Sequence, residues 1–213
     1  MGGTNMIVVG GMIGTGKTTY TQMLADTLAF EPFYESVEGN PILAKYYNDP
    51  ITYGLMSQVY FAATRFASLR RASAHPRNVV DRSIYEDKLF AQVNYELGYL
   101  TDEEKIVYDT LISELIESFK TKMGNQPTLY VYLKASFNTI LSRIDMRGRT
   151  YEQQQNLTEY YKTLHLRYDN WVSQYYTPSQ MLTIDADKYD IKKPDDKKAV
   201  IDLVTMRLQA LGL

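Results

Sequence analysis

The sequence predicts an α/β protein: a three-layer fold in which a five-stranded parallel sheet carries helices on both faces. Three observations point there. Short β-branched or aromatic runs alternate with helical patterns from one end of the chain to the other. Hydrophobic residues make up 45% of 213 residues, enough for a core and about the length of one large domain or a domain with a lid. A glycine-rich turn joins the first apolar run to the first helical pattern, where α/β sheets place their ligand loops.

The elements follow in order. "MGGTN", residues 1–5, reads as a leader without structure, which leaves residues 6–213 as a single domain. The first strand is Ile7–Val9. Tyr20, Leu24 and Leu28 then recur every four residues, the spacing of one helix face. Phe30–Tyr34 is the second strand, and "EGNP" (residues 38–41) a loop. A helical stretch covers Leu55–Ala72, and "AHPRN" (residues 74–78) leads to the third strand, Val79–Asp81. Val107, Leu111, Leu115 and Phe119 mark another helix, ended by "GNQP" (residues 124–127) before the fourth strand, Leu129–Leu133. A long pattern through Leu157, Tyr161, Leu164, Tyr168, Trp171 and Tyr175 precedes the fifth strand, Leu182–Ile184. "KKPDDKK" (residues 192–198) reads as a further loop from its Pro and Asp content. No repeat, low-complexity segment or linker divides the chain.

Composition removes several function classes. A formal net charge of −2 gives no global basic field for a nucleic-acid backbone. Without cysteine there are no disulfides, thiolate metal sites or cysteine nucleophiles, which fits a reducing compartment and a cytoplasmic protein. His75 and His165 are too far apart in sequence to suggest a multi-histidine metal site. No apolar run is long enough to span a membrane, and no basic-then-apolar signal pattern opens the chain.

Gly11-Met12-Ile13-Gly14-Thr15-Gly16-Lys17-Thr18 fits G-x-x-x-x-G-K-[ST] in full, after a strand and before a helix, and Thr19 continues it. This is the phosphate loop of a P-loop NTPase-type fold. Its glycines let backbone N–H groups turn inward around phosphates, and the helix N-terminus adds positive potential. Lys17 is expected to reach the β- and γ-phosphates of ATP, outside the core, and Thr18 to ligate Mg²⁺. The N-K-x-D that reads guanine in GTPases is absent, and the D-x-x-G at Asp145–Gly148 reads as accidental.

The loop leaves the phosphate acceptor open. Between Glu31 and Pro50 the acids are Glu31, Glu35, Glu38 and Asp49, against one base, Lys45. Such a segment repels an anion. A neutral hydroxyl acceptor fits better, with Glu35, directly after the second strand, as its general base. Asp81 and Arg82 end the third strand. Asp81 could hold Mg²⁺, and Arg82 could meet charge on the transferring phosphoryl group. Gln58 and Arg65, seven residues apart, share one face of an otherwise apolar helical stretch, as a pocket for a flat polar ring requires. Arg143, Arg147 and Arg149 cluster around Gly148; they suit phosphate, and residues 143–153 read as a lid bending at the glycine.

Taken in order, the phosphate loop, "FYESVEGNP", "YYNDP", "SQVYFAATRF", "DRSIYEDKLF" and "RGRTYEQ" resemble the deoxyribonucleoside kinases, in particular the bacterial deoxyadenosine/deoxyguanosine kinases. The resemblance covers nearly the whole chain from Met6. It implies that Glu35 takes the proton of a nucleoside 5′-hydroxyl, with Arg82 beside it, and that Tyr47 and Glu152 hold the sugar 3′-hydroxyl. It implies that Gln58, Arg65 and Asp87 read the base, and that Asp81 stands at an acidic Mg²⁺ position. Arg143, Arg147 and Arg149 look like the lid arginines. A homodimer built on the helices containing Leu55–Ala72 and Glu104–Lys122 is implied as well. Relatives often have a phenylalanine against the base four residues after the Asp87 equivalent; this chain has Ala91, and Phe90 is expected to point elsewhere. The expected substrates are purine deoxynucleosides, deoxyadenosine first, then deoxyguanosine, with deoxycytidine acceptable and thymidine disfavoured. The competing readings are a nucleoside-monophosphate kinase of the thymidylate kinase type and a non-catalytic ATP-binding regulator.

Overall fold

The structure is a computed structural model that describes residues 5–35, 37, 39–123, 127–154 and 157–212. Five parallel strands form one sheet in the order β2-β3-β1-β4-β5: β1 Asn5–Gly10, β2 Glu31–Phe33, β3 Arg77–Asp81, β4 Leu129–Lys134 and β5 Met181–Asp185. The first strand opens at Asn5, which pairs with Arg77, so it takes in the last residue of the segment read as a leader. The rest of that segment, like Glu38 and most of "GNQP", lies outside the described residues. Asn78 pairs with both Met6 and Glu31, which puts the end of "AHPRN" in the sheet rather than in a loop.

Side-chain alternation on the strands explains the layers. Ile7, Val9, Val79, Leu129, Val131 and Leu133 face one side, packed by α1 (Lys17–Leu28) and α8 (Pro194–Ala210). Met6, Val8, Val80, Tyr130 and Tyr132 face the other. There they meet α3 (Pro50–Ala72), α4 (Glu86–Glu96), α5 (Asp102–Met123) and α7 (Leu157–Tyr175), with α2 (Leu43–Asn48) and α6 (Phe137–Arg147) at the rim. The sheet and helix layers agree with the sequence reading.

Two helices correct it in detail. The row Val107, Leu111, Leu115 is not the buried row of α5: Val107 is exposed, while Tyr108, Ile112 and Ile116 are buried beside Phe119. A stripe wider than its core contact leaves the periodicity one residue off. "KKPDDKK" is not all loop, because Pro194 opens α8 with Asp195 and Asp196 in its first turn. Proline fits that position because its missing N–H is unpaired there in any case, and acids suit a helix N-terminus.

Where β1 leaves the sheet, backbone and side chain pack too closely for any larger residue. A Cβ added at Gly10 would sit 1.9 Å from the hydroxyl of Tyr130, which is itself buried and stacked on Tyr176 with ring centroids 3.9 Å apart. The order β2-β3-β1 brings three strand ends side by side: the phosphate loop, Asp81-Arg82 and the segment containing Glu35. The order reverses at β1, whose neighbours are β3 and β4, and open parallel sheets bind ligands in the crevice at such a point.

Candidate active site

The phosphate loop curls ahead of α1 with Gly14 and Gly16 at φ 85° and 95°, a region open to glycine and strained for other residues. Thr15 Oγ1 donates to the Met12 carbonyl at 2.8 Å, and Lys17 Nζ donates to the same oxygen at 3.0 Å. Lys17 is buried, contrary to expectation, and burial together with the charge of Arg82 pushes its ammonium down to about 8. Thr18 Oγ1 donates to Asp81 Oδ2 at 2.7 Å, while Asp81 Oδ1 is buried without a partner among the described residues. Ile13, Gly14, Gly16, Lys17, Thr18 and Thr19 line a cavity of about 640 Å³; Gly11, Met12 and Thr15 shape the loop from behind.

The same cavity collects the acceptor residues. Glu35, Tyr47, Gln58, Arg65, Arg82 and Asp87 line it, as do Arg143, Arg147, Arg149 and Glu152. Their side chains interlock. Arg65 donates from Nη2 to Glu35 Oε1 and from Nε to Asp87 Oδ2, each at 2.8 Å. Arg82 Nε lies 3.2 Å from Glu35 Oε1. Burial alone would raise the pKa of Glu35, but Arg82, Arg65 and Lys17 outweigh it and hold the carboxyl well below the usual range. Asp87 goes the other way: burial dominates the opposing pull of Arg65 and pushes it up to about 6. Arg65 is therefore a buried ion-pairing residue, and its Nη1 has no partner among the described residues.

One expectation about this wall changes. Phe90 lines the cavity, its ring 4.6 Å from the Arg82 guanidinium carbon, and Ala91 is fully buried. The aromatic surface missing at Ala91 is thus supplied one position earlier. Asp145–Gly148 is the end of α6, where Gly148 at φ 70° caps the helix and donates its N–H to the Asp145 carbonyl. The arginines around that cap are already engaged. Arg143 donates to the carbonyls of Thr15 at 3.1 Å and Ala186 at 2.8 Å, which ties the phosphate loop to the end of the sheet. Arg147 and Arg149 both pair with Glu152, on a short 3-10 turn at Thr150–Glu152.

The sequence reading missed Glu86 and Tyr168. Glu86 accepts from Arg82 Nη1 at 2.9 Å, and Tyr168 Oη accepts from the same nitrogen at 2.8 Å. The i,i+4 spacing of Arg82 and Glu86 was a visible signal; nothing near Tyr168 marked it as more than a core position. Arg82 itself sits at φ 76°, a strained conformation for a residue with a Cβ that costs of order 1–3 kcal/mol.

A glycine-cradled lysine, a Thr–Asp pair beside it and a deep polar and aromatic pocket across from it define a P-loop phosphotransferase with an enclosed acceptor site. The family model for deoxynucleoside kinase matches residues 7–209, and the chain belongs to that family. Deoxyguanosine kinase of Lactobacillus acidophilus is 40% identical over 97% of this chain and 92% of its own length. The deoxyadenosine kinase of the same organism is 33% identical over 97% and 98%. A solved structure of deoxyadenosine kinase from M. mycoides with bound dATP superimposes with a TM-score of 0.80 at 28% identity, covering 95% of this chain and 98% of that one. The chain is accordingly a phosphotransferase of the nucleoside type, and the monophosphate-kinase and regulator readings fall away.

Proposed function

We propose that the protein transfers the γ-phosphoryl group of ATP to the 5′-hydroxyl of a purine deoxynucleoside. The observation that carries this is the single cavity with the phosphate loop on one side and the Glu35–Arg65–Asp87 chain of ion pairs on the other. Lys17 and the loop N–H groups bind the phosphates. Glu35 accepts a hydrogen bond from the 5′-hydroxyl and takes its proton. While both arginines hold Glu35 its basicity is low; as charge builds on the phosphoryl group and draws on Arg82, the carboxylate becomes a stronger acceptor. Tyr47 and Glu152 hold the sugar.

Mg²⁺ fits the Thr18–Asp81 pair: two oxygens 2.7 Å apart, one carboxylate oxygen without a partner among the described residues, and Lys17 and the phosphate loop in the same cavity. Those two residues would hold the ion, and it would neutralise charge on the β- and γ-phosphates.

Gln58, Arg65 and Asp87 read the base between aromatic walls that include Phe61 and Phe90. The expectation of deoxyadenosine first rested on Gln58. Arg65 Nη1, without a partner among the described residues, is a donor, which suits the O6 acceptor that guanine has and adenine lacks, and identity is higher to a deoxyguanosine kinase than to a deoxyadenosine kinase. Both favour deoxyguanosine ahead of deoxyadenosine. A screen of the common deoxynucleosides with MgATP, reading ADP and nucleoside monophosphate, tests this reading. Thymidine as the best acceptor, or no acceptor-dependent ADP, would sink it.

A homodimer through α3 and α5 is part of the proposal. These helices expose Met56, Val59, Ile106 and Val107, and sedimentation would show the mass. No helix among the described residues is long and apolar enough to cross a membrane, and a chain without cysteine is at home in the cytoplasm.

A further inference from the structure

We propose that Glu86 and Tyr168 are positioning residues of the transfer step, acting through Arg82; this rests on the role given to Arg82 above. The geometry is a closed hub. Tyr168 Oη accepts from Arg82 Nη1 at 2.8 Å and donates its proton to Glu86 Oε2 at 2.5 Å. The Gly11 carbonyl oxygen lies 3.0 Å from the same hydroxyl, so the hub touches the backbone of the phosphate loop. Glu86 grips the strained residue from both sides: Oε2 takes Arg82 Nη1 at 2.9 Å, and Oε1 takes the backbone N–H of Ser83 at 3.0 Å. All three side chains are nearly inaccessible: Arg82 2%, Tyr168 1%, Glu86 0%.

The hub answers a problem set by the site. Arg82 faces two carboxylates. With Glu35 as its only partner, a buried guanidinium would close on that carboxylate in a bidentate pair and tie up the base. Glu86 and Tyr168 take Nη1 instead, and leave Glu35 the looser 3.2 Å contact to Nε. Phe90 lies against the guanidinium face. None of these contacts uses Nη2. The guanidinium is therefore fixed by one edge and one face, with a nitrogen left for the phosphoryl oxygens, and its position is referred to the loop that holds those phosphates.

The test compares Tyr168→Phe, which removes one oxygen, with Tyr132→Phe. The Tyr132 ring stacks on Tyr168 with centroids 6.2 Å apart, but its hydroxyl bonds Asp169 near the surface. Tyr168→Phe should lower kcat about tenfold with nucleoside and ATP KM values within twofold, while Tyr132→Phe keeps native kcat. Glu86→Gln, which retains two acceptor lone pairs but no charge, should fall in the same direction. In an Arg82→Lys background, where no fork spans both carboxylates, Tyr168→Phe should add less than twofold. Native kcat in Tyr168→Phe overturns the proposal, as does a full tenfold loss added to Arg82→Lys. If Arg82→Lys alone keeps native kcat, it is the role of Arg82 in transfer that fails.

Discussion

The two walls of the cavity are built on opposite plans. The donor wall is ten consecutive residues, Gly10 to Thr19, and it works mainly through backbone. Its sequence is set by where a Cβ cannot go: against Tyr130 at Gly10, or at φ 85° at Gly14. The acceptor wall is side chains from separate segments, with Glu35 after β2, Arg65 on α3, Arg82 after β3 and Asp87 on α4. Apart from Arg82, which Glu86 also holds from four residues on, none of these is placed by its own neighbours. Each is held by an opposite charge from another element, and for Glu35 that charge also sets its protonation. A local wall should tolerate change in the other, whereas one substitution in a cross-braced wall should be felt by its partners.

Glu35→Gln is the strongest way to break that contrast. The amide keeps size and one acceptor but cannot take a proton, so kcat should fall roughly 10²–10⁴-fold, the range for a positioned general base. ATP KM should hardly change, because the lost interaction belongs to the transition state. Steady-state kinetics in both substrates decide it; a rise in nucleoside KM at native kcat would make Glu35 a binding residue only.

Lys17→Met tests the other wall. The thioether fills the buried channel of the lysine stem, so circular dichroism and Tm should stay near native. Losing the cation at the phosphates should cost about 10²–10³-fold in kcat, the usual size for one preorganised electrostatic contact. Nucleoside affinity, measured without ATP, should not move. If it does, the walls are not independent.

A smaller effect is expected from Glu152→Gln, which frees Arg147 and Arg149 and weakens the hydrogen bond proposed for the 3′-hydroxyl. Nucleoside KM should rise roughly tenfold, as for a lost hydrogen bond to a charged group. A 3′-deoxy analogue should bind native and variant alike. Equal loss for both acceptors would assign Glu152 to the arginines and not to the sugar.

The same contrast explains what could be read from the sequence. The sheet was legible because parallel strands buried on both faces are short apolar runs, and all five appear within a few residues of their ends. The phosphate loop was legible because its constraint is local. Gln58 and Arg65 were visible by helical spacing, but the use of Arg65 as a bridge between Glu35 and Asp87 was not, since its partners are 30 and 22 residues away. Phe90 was misjudged because one residue on a helix turns a side chain by about 100°, and its direction depends on how α4 meets α7. Tyr168 was read as core and is core; that its hydroxyl reaches Gly11, 157 residues earlier, is a fact of packing alone.

The finest probe of the acceptor wall is pH. Burial pushes Asp87 up to about 6 against the pull of Arg65 from α3; Glu35, from the segment after β2, raises it further, and Arg82 lowers it. Tyr108, from α5, faces it as a neutral phenol whose own pKa is raised well above the usual value. A raised carboxyl is ionised above about pH 6 and protonated below. Ionised Asp87 accepts from the exocyclic amine of adenine; protonated, it becomes a donor to O6 or N7 of guanine. At pH 5.5 roughly a quarter of the protein keeps the ionised form, by the ordinary titration relation. The deoxyadenosine KM should therefore rise about fourfold between pH 7.5 and pH 5.5, most of it below pH 6, and its ratio to the deoxyguanosine KM should rise at least as much. Asp87→Asn, which cannot titrate, should flatten the ratio across that range. A flat ratio in the native protein would show that Asp87 holds Arg65 in place without reading the base by its charge, and base choice would then rest on Gln58 and Arg65.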